Sequence, residues 1–230
     1  MSGNKKNSIK LPPCPDPEQY ILVKTKEGDF WRRKRQKQSQ VNRSLSANVS
    51  ATKIVSPAVK RIRNKLESYT HNLDTGRLHG RLTGLLNKTY KAKGFVDYSA
   101  LKGFEFQPDH PLPRLLLTQY EVNTSFEFTE LVIPVTSGVL KKQNDLVTDF
   151  YFEGILLYGN PLADEPLQTA YALSKPYSFT DIVEEDCKIV LPLPEKNVPW
   201  MLMLKVSCLE GNEMAIHPRH YGMKVVEVGG

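Results

Sequence analysis

The sequence predicts an α+β chain: an N-terminal β-hairpin and antiparallel helix pair, followed by an antiparallel immunoglobulin-like β-sandwich. Three observations predict it. Apolar residues recur at helical spacing up to about residue 90, then alternate with a period of two from about residue 104 onward. Turn signals at Ser137-Gly138, Gly159-Asn160-Pro161, Lys196-Asn197 and Glu210-Gly211-Asn212 cut the second half into short segments. Charge changes sign between the same two halves. Residues 1–114 hold 23 Lys/Arg against 9 Asp/Glu, a net of +14, and residues 115–230 hold 8 against 16, a net of −8.

Residues 1–18 are polar and proline-containing, an arm with too little apolar surface to order itself. Tyr20–Thr25 reads as a strand, Lys26-Glu27-Gly28-Asp29 as a turn, and Phe30-Trp31 as the start of the returning strand. From Val41 to about Asn72 the reading is helical. Ser56-Pro57 there suggests an N-cap with proline at the first helical position, where its missing N–H costs nothing. Val59, Ile62, Leu66 and Tyr69 then form an apolar stripe. After a break at Asn72-Leu73-Asp74, Leu78, Leu82, Leu85, Leu86 and Tyr90 form a second one. Gly76, Gly80 and Gly84 recur every four residues in that helix, a spacing that suits the close approach of another helix. Gly103-Phe104-Glu105-Phe106 alternates as a strand, and Pro108, Pro111 and Pro113 mark a linker.

Further strands are expected at Leu115–Val122, Glu130–Thr136, Thr148–Tyr158, Thr169–Ser174, around Ile189–Leu193, and at Met223–Val228. The clearest is the run Trp200, Leu202, Leu204, Val206, Cys208 on one face. The Cys-Trp-Cys arrangement of antibody domains is missing. The expected division is a disordered arm at 1–18, a basic hairpin plus helical module at 19–103, and an acidic sandwich at 104–230.

The order of these features resembles a group of uncharacterised proteins common in Bacteroidetes. The sharpest match is Leu101-Lys102-Gly103-Phe104-Glu105-Phe106. It is supported by Gly80-Arg81-Leu82-Thr83 in the second helix, the hairpin around Tyr20–Arg35, and a terminal strand–turn–strand over Lys205–Val228. The resemblance implies helices followed by a β-domain. It supplies no catalytic or binding residue, and the chain departs from the group in its denser basic run at Arg32–Lys37.

A chain of 230 residues buries a proper core. No run approaches the ~18 apolar residues of a membrane helix, and the N-terminus has no apolar signal core. Cys14, Cys187 and Cys208 are odd in number and far apart, neither a disulfide framework nor a zinc pattern. Cys208 falls in the core series and Cys14 between prolines. These features together point to the cytoplasm. No cofactor, metal or small-molecule substrate is indicated. Glu184-Glu185-Asp186 lacks the spacing of a calcium loop and reads as a charged loop. Pro218 and the surrounding strand pattern remove the helix that His217 and His220 would need to share a zinc ion.

The candidate contact residues are Arg32, Arg33, Lys34, Arg35 and Lys37, with Phe30 and Trp31 beside them for base stacking, and Lys60, Arg61, Arg63 and Lys65 on the first helix. Such cations release counterions when they neutralise phosphates, and they equally form a solvated face or meet an acidic protein surface. No sequence-specific nucleic-acid motif accompanies them. The charge split therefore points first to a non-enzymatic structural or protein-interaction protein, whose oppositely charged modules meet head to tail between copies. Nucleic-acid association through the basic module is the alternative, and an enzyme of unknown type the remaining one.

Overall fold

The computed structural model describes residues 16–24, 29–34, 43–181 and 184–230. Two antiparallel strands, β1 (Tyr20–Val23) and β2 (Phe30–Arg33), place Tyr20 opposite Arg33 and Val23 opposite Phe30. The expected turn at Lys26-Glu27-Gly28 lies outside the described residues, as do Cys14 and most of the 1–18 arm. The chain divides into two units, Met1–Leu45 and Ser46–Gly230. Among the described residues, the members of the large apolar core lie in the second, from Val55 to Val226. Composition shifts at residue 103, but neither the helices nor the sheets bury their apolar faces alone, so both share that core.

Helix α1 (Arg43–Thr70) runs unbroken through Pro57, which therefore does not open a helix. The reason lies in which sides are covered. Ala51, Val55, Ala58, Val59, Ile62 and Leu66 are buried, whereas Pro57 and Lys53 are exposed. The Lys53 carbonyl that loses its i+4 donor thus lies on the wet side, where water replaces the bond. Helix α2 (Leu78–Lys93) buries Leu78, Leu82, Leu86 and Thr89. It ends on Gly94 at φ 77°, whose N–H returns to the Tyr90 carbonyl at 2.8 Å. Ser56 meets His79 at 3.2 Å, and Asn87 donates to Thr52 at 3.1 Å. Moving back along α1 while moving forward along α2 makes the pair antiparallel, as the sequence predicts.

Among the described residues, nine strands and one short α-helix follow. After α3 (Leu112–Leu115) come β3 (Glu121–Thr124), β4 (Phe128–Val135), β5 (Asp149–Tyr158), β6 (Gln168–Leu173), β7 (Tyr177–Ser178), β8 (Glu185–Pro192), β9 (Trp200–Glu210), β10 (Glu213–Met214) and β11 (Tyr221–Gly229). All strand pairs are antiparallel. In the six-stranded sheet β9 lies between β5 and β11, β5 carries β6 and β7 on its far side, and β10 pairs with the last residues of β9. The smaller sheet runs β3-β4-β8. The sheets lie face to face at Gly154: a Cβ there would sit 2.7 Å from Ile189 and 3.0 Å from Leu191, so only glycine admits this approach.

The opposite face of the six-stranded sheet is covered by helices. The Tyr69 ring lies 5.6 Å from Tyr171, and the Arg61 guanidinium donates to the Pro161 and Glu165 carbonyls. Consequently β9 is buried on both faces, and only its last two residues are partly exposed. Gly103-Phe104-Glu105-Phe106 forms no full strand. It lies along the outer edge of β11, with Gly103 N–H bonded to the Val225 carbonyl and Phe106 N–H to that of Met223. Leu115–Val122 is likewise only partly extended, because α3 takes its start. No helix among the described residues is long and apolar enough to cross a membrane.

Candidate functional site

The predicted contact residues separate into three kinds. Arg32 and Phe30 are exposed on β2, and Trp31 is half-buried there. Arg33 and Lys34 are tied within the hairpin, Arg33 donating to Gln19 Oε1 at 3.3 Å and Lys34 Nζ to the Pro17 carbonyl at 2.9 Å. Arg35 and Lys37 lie outside the described residues. On α1, Arg61 is a structural residue that holds the 161–165 loop by its carbonyls. Lys53, Lys60 and Arg63 are exposed and Lys65 partly so, and none forms an ion pair among the described residues. They leave a free cationic face along the outside of the helix.

A second surface was not legible in the sequence. The outward side chains of the smaller sheet are those whose neighbours point inward at the core. On β4 these are Phe128, Glu130, Val132 and Pro134, opposite Pro192, Val190, Lys188 and Asp186 of β8. Glu121 and Asn123 of β3 complete the face. Phe128 is 42% and Val190 50% exposed, and Phe126 at the β3–β4 turn is fully so. A protein surface rarely leaves so many adjoining apolar groups in water without using them. Three carboxylates, Glu121, Glu130 and Asp186, surround them against one ammonium, Lys188, and none of the four is ion-paired among the described residues. Glu185 and Asp186 belong to strand β8, not to a loop, and Glu185 pairs with Lys175 at 2.6 Å.

Two polar clusters lie deeper. Lys205 Nζ is 3.0 Å from Glu153 Oε1, with the two side chains 3% and 6% exposed. Ser207 Oγ donates to the same oxygen and Tyr171 OH to Oε2 at 3.1 Å, so every Glu153 acceptor faces a donor. The cluster is sealed between sheet and helices, which suits an ion pair that fixes how β5 lies on β9. The second cluster gathers His110, His217 and His220 beside Glu210 and Arg219. The ring centroids are 6.3 Å apart for His110 and His217, and 6.1 Å for His217 and His220. Pro218–His220 is one turn of 3₁₀ helix, not strand, and His217 Nδ1 caps it by accepting the Arg219 N–H at 3.1 Å. His220 is fully buried, and burial, with the Arg219 charge, holds its pKa below the usual 6.5. No group of three or more His, Cys, Asp or Glu among the described residues is arranged to hold a metal. Cys187 and Cys208 are free and buried, and burial pushes the Cys208 thiol up to about 12.

Among the described residues Gly80 and Gly84 meet no other helix, since nothing lies within 4 Å of a Cβ built on either. They floor an open groove of about 570 Å³ walled by Arg81, Lys88, Lys102 and Phe104. Comparison with known protein families, curated proteins and solved structures finds no match to this chain.

Proposed function

We propose that this is a non-enzymatic interaction protein of the cytoplasm, and that the outer face of its smaller sheet receives a protein partner. The observation that carries this reading is the uncovered face itself, where Phe128 and Val190 stand in water among Glu121, Glu130 and Asp186. Apolar anchors ringed by charge are what a protein interface requires, and a carboxylate rim repels phosphate. Two antiparallel sheets meeting at Gly154 support the immunoglobulin-like sandwich reading, with the helices as an added layer. Free thiols at Cys187 and Cys208 accord with a reducing compartment. Membership of the Bacteroidetes group belongs to the same proposal and rests on the motifs alone.

Affinity recovery from the native host, with and without nuclease, tests the reading. A protein partner that survives nuclease and is lost from the Phe128→Glu/Val190→Glu variant is expected. Equal recovery by both chains refutes it. The second reading is phosphate-backbone binding, favoured by the unpaired Lys53, Lys60, Arg63 and Lys65. Fluorescence anisotropy with generic DNA and RNA decides it: no binding at low salt excludes it, and true binding weakens steeply as salt rises.

A further inference from the structure

We infer that the partner seated on the outer face of the smaller sheet is a second copy of this chain, which presents the exposed side of its α1. The inference rests on the sheet-face reading above and names its occupant. Three features of the two surfaces carry it.

The first is charge. The sheet face has three unpaired carboxylates against Lys188, and the exposed side of α1 has Lys53, Lys60 and Arg63, unpaired among the described residues. Helix α1 as a whole holds six Lys/Arg and one Glu, Glu67 near its end, so the helix is strongly cationic. The second is apolar content. Val49, Lys53, Pro57 and Lys60 succeed one another at intervals of four, four and three, which places them on one stripe. Val49 is 52% exposed, and Ile54 flanks the stripe at 38%. Apolar and cationic groups thus alternate along the helix, and the sheet face likewise mixes apolar Phe128, Val132 and Val190 with the carboxylates Glu121, Glu130 and Asp186. The third is size. Residues 49–60 span about 16 Å along the axis, and an α-helix is about 10–12 Å wide. The outward residues of β4 from 128 to 134 span about 20 Å, and three strands are about 10 Å across. One helix therefore covers the face.

Donor and acceptor surfaces are different patches of the same molecule, so the contact is heterologous and does not close by a twofold axis. A joined pair keeps one free sheet face and one free helix, so the assembly grows head to tail. Surface electrostatics of this kind weaken within a Debye length of about 8–10 Å at physiological salt, so growth is salt-sensitive.

The test uses full-length chains in light scattering over a concentration series at low and high salt. Wild type is expected to rise in mass with concentration at low salt and to fall back at high salt. Glu121→Lys/Glu130→Lys on the sheet face and Lys53→Glu/Lys60→Glu on the helix are each expected to stay monomeric, with unchanged circular dichroism. In an equimolar mixture of the two variants the unchanged helix of one meets the unchanged sheet face of the other and the two reversed surfaces match as well, so the mixture grows again as an alternating assembly. All four reversals in one chain restore growth. A wild type that is monomeric at every concentration overturns the second copy as partner. The sheet-face reading then stands or falls separately by recovery from the host. A wild-type assembly stopping at a dimer, or a variant mixture that stays monomeric, overturns the head-to-tail contact.

Discussion

Replacing Lys205 by Met tests how the buried ion pair contributes. The ammonium and carboxylate are 3.0 Å apart with 3% and 6% of their side chains exposed, so solvent screens them little. At that distance the attraction is about 5 kcal/mol for an effective dielectric of about 20. Burial of the two ions costs a comparable amount, so the intact pair adds little net stability. Losing one partner is different. Without Lys205 the Glu153 carboxylate stays in the core with only the Ser207 and Tyr171 hydroxyls facing it. The expected loss is about 3–5 kcal/mol. For a folded unit of this size that is a fall of about 10 °C in Tm. The double variant Glu153→Leu/Lys205→Met removes both charges and is expected to recover to within about 1 kcal/mol of wild type. Guanidinium unfolding followed by circular dichroism supplies all the free energies of the cycle. A Lys205→Met loss below about 1 kcal/mol would refute the reasoning, because it would mean that water reaches Glu153.

Three further outcomes are expected. Gly154→Ala drives a Cβ to 2.7 Å from the branched Ile189 side chain and should cost about 1–3 kcal/mol in urea unfolding, with folding retained. Arg61→Ala removes the donors to the Pro161 and Glu165 carbonyls and should lower the urea midpoint, whereas Lys60→Ala and Arg63→Ala should leave stability within about 0.5 kcal/mol. His220 is held below its ordinary 6.5 in the folded chain, so the unfolded chain binds its proton first as pH falls. Its contribution is therefore present above pH 6.5 and declines below it, towards the lower folded value. His220→Gln should flatten the wild-type dependence between about pH 7.5 and 5.5, and an unchanged slope counts against the assignment.

Local periodicity carried most of the fold. The alternation of Trp200 to Cys208 marked β9, the leucine stripe marked α2, and the runs around 130, 150 and 170 fell on β4, β5 and β6. What escaped depended on contacts between distant residues. Lys205 and Ser207 occupy the polar positions of an alternating strand, the pattern of a wet face. They are buried nonetheless, on the face where Tyr171, which donates to Glu153, lies against Tyr69 of α1, more than 100 residues before β9. Glu153 pairs with Lys205 across 52 positions, a distance no local pattern spans. Pro57 was misplaced because the rule for helix starts weighs the missing N–H and not which side of the helix is wet. Arg61 looked like its neighbours Lys60 and Arg63, and only the position of the 161–165 loop sets it apart. The sheet face escaped because outward Phe128 and Val190 resemble core residues in a sequence, and only their exposure distinguishes them.

The segment Gly103–Phe106 lies along β11 and takes up the outward backbone groups of Met223 and Val225. An unoccupied strand rim is a template on which another chain's strand can add, and short irregular segments laid over it are a known protection. The large sheet is thereby insulated along that side from runaway strand addition. Any orderly assembly of this chain is steered towards contacts between side-chain surfaces, which salt and single charges can regulate, and away from backbone pairing, which they cannot.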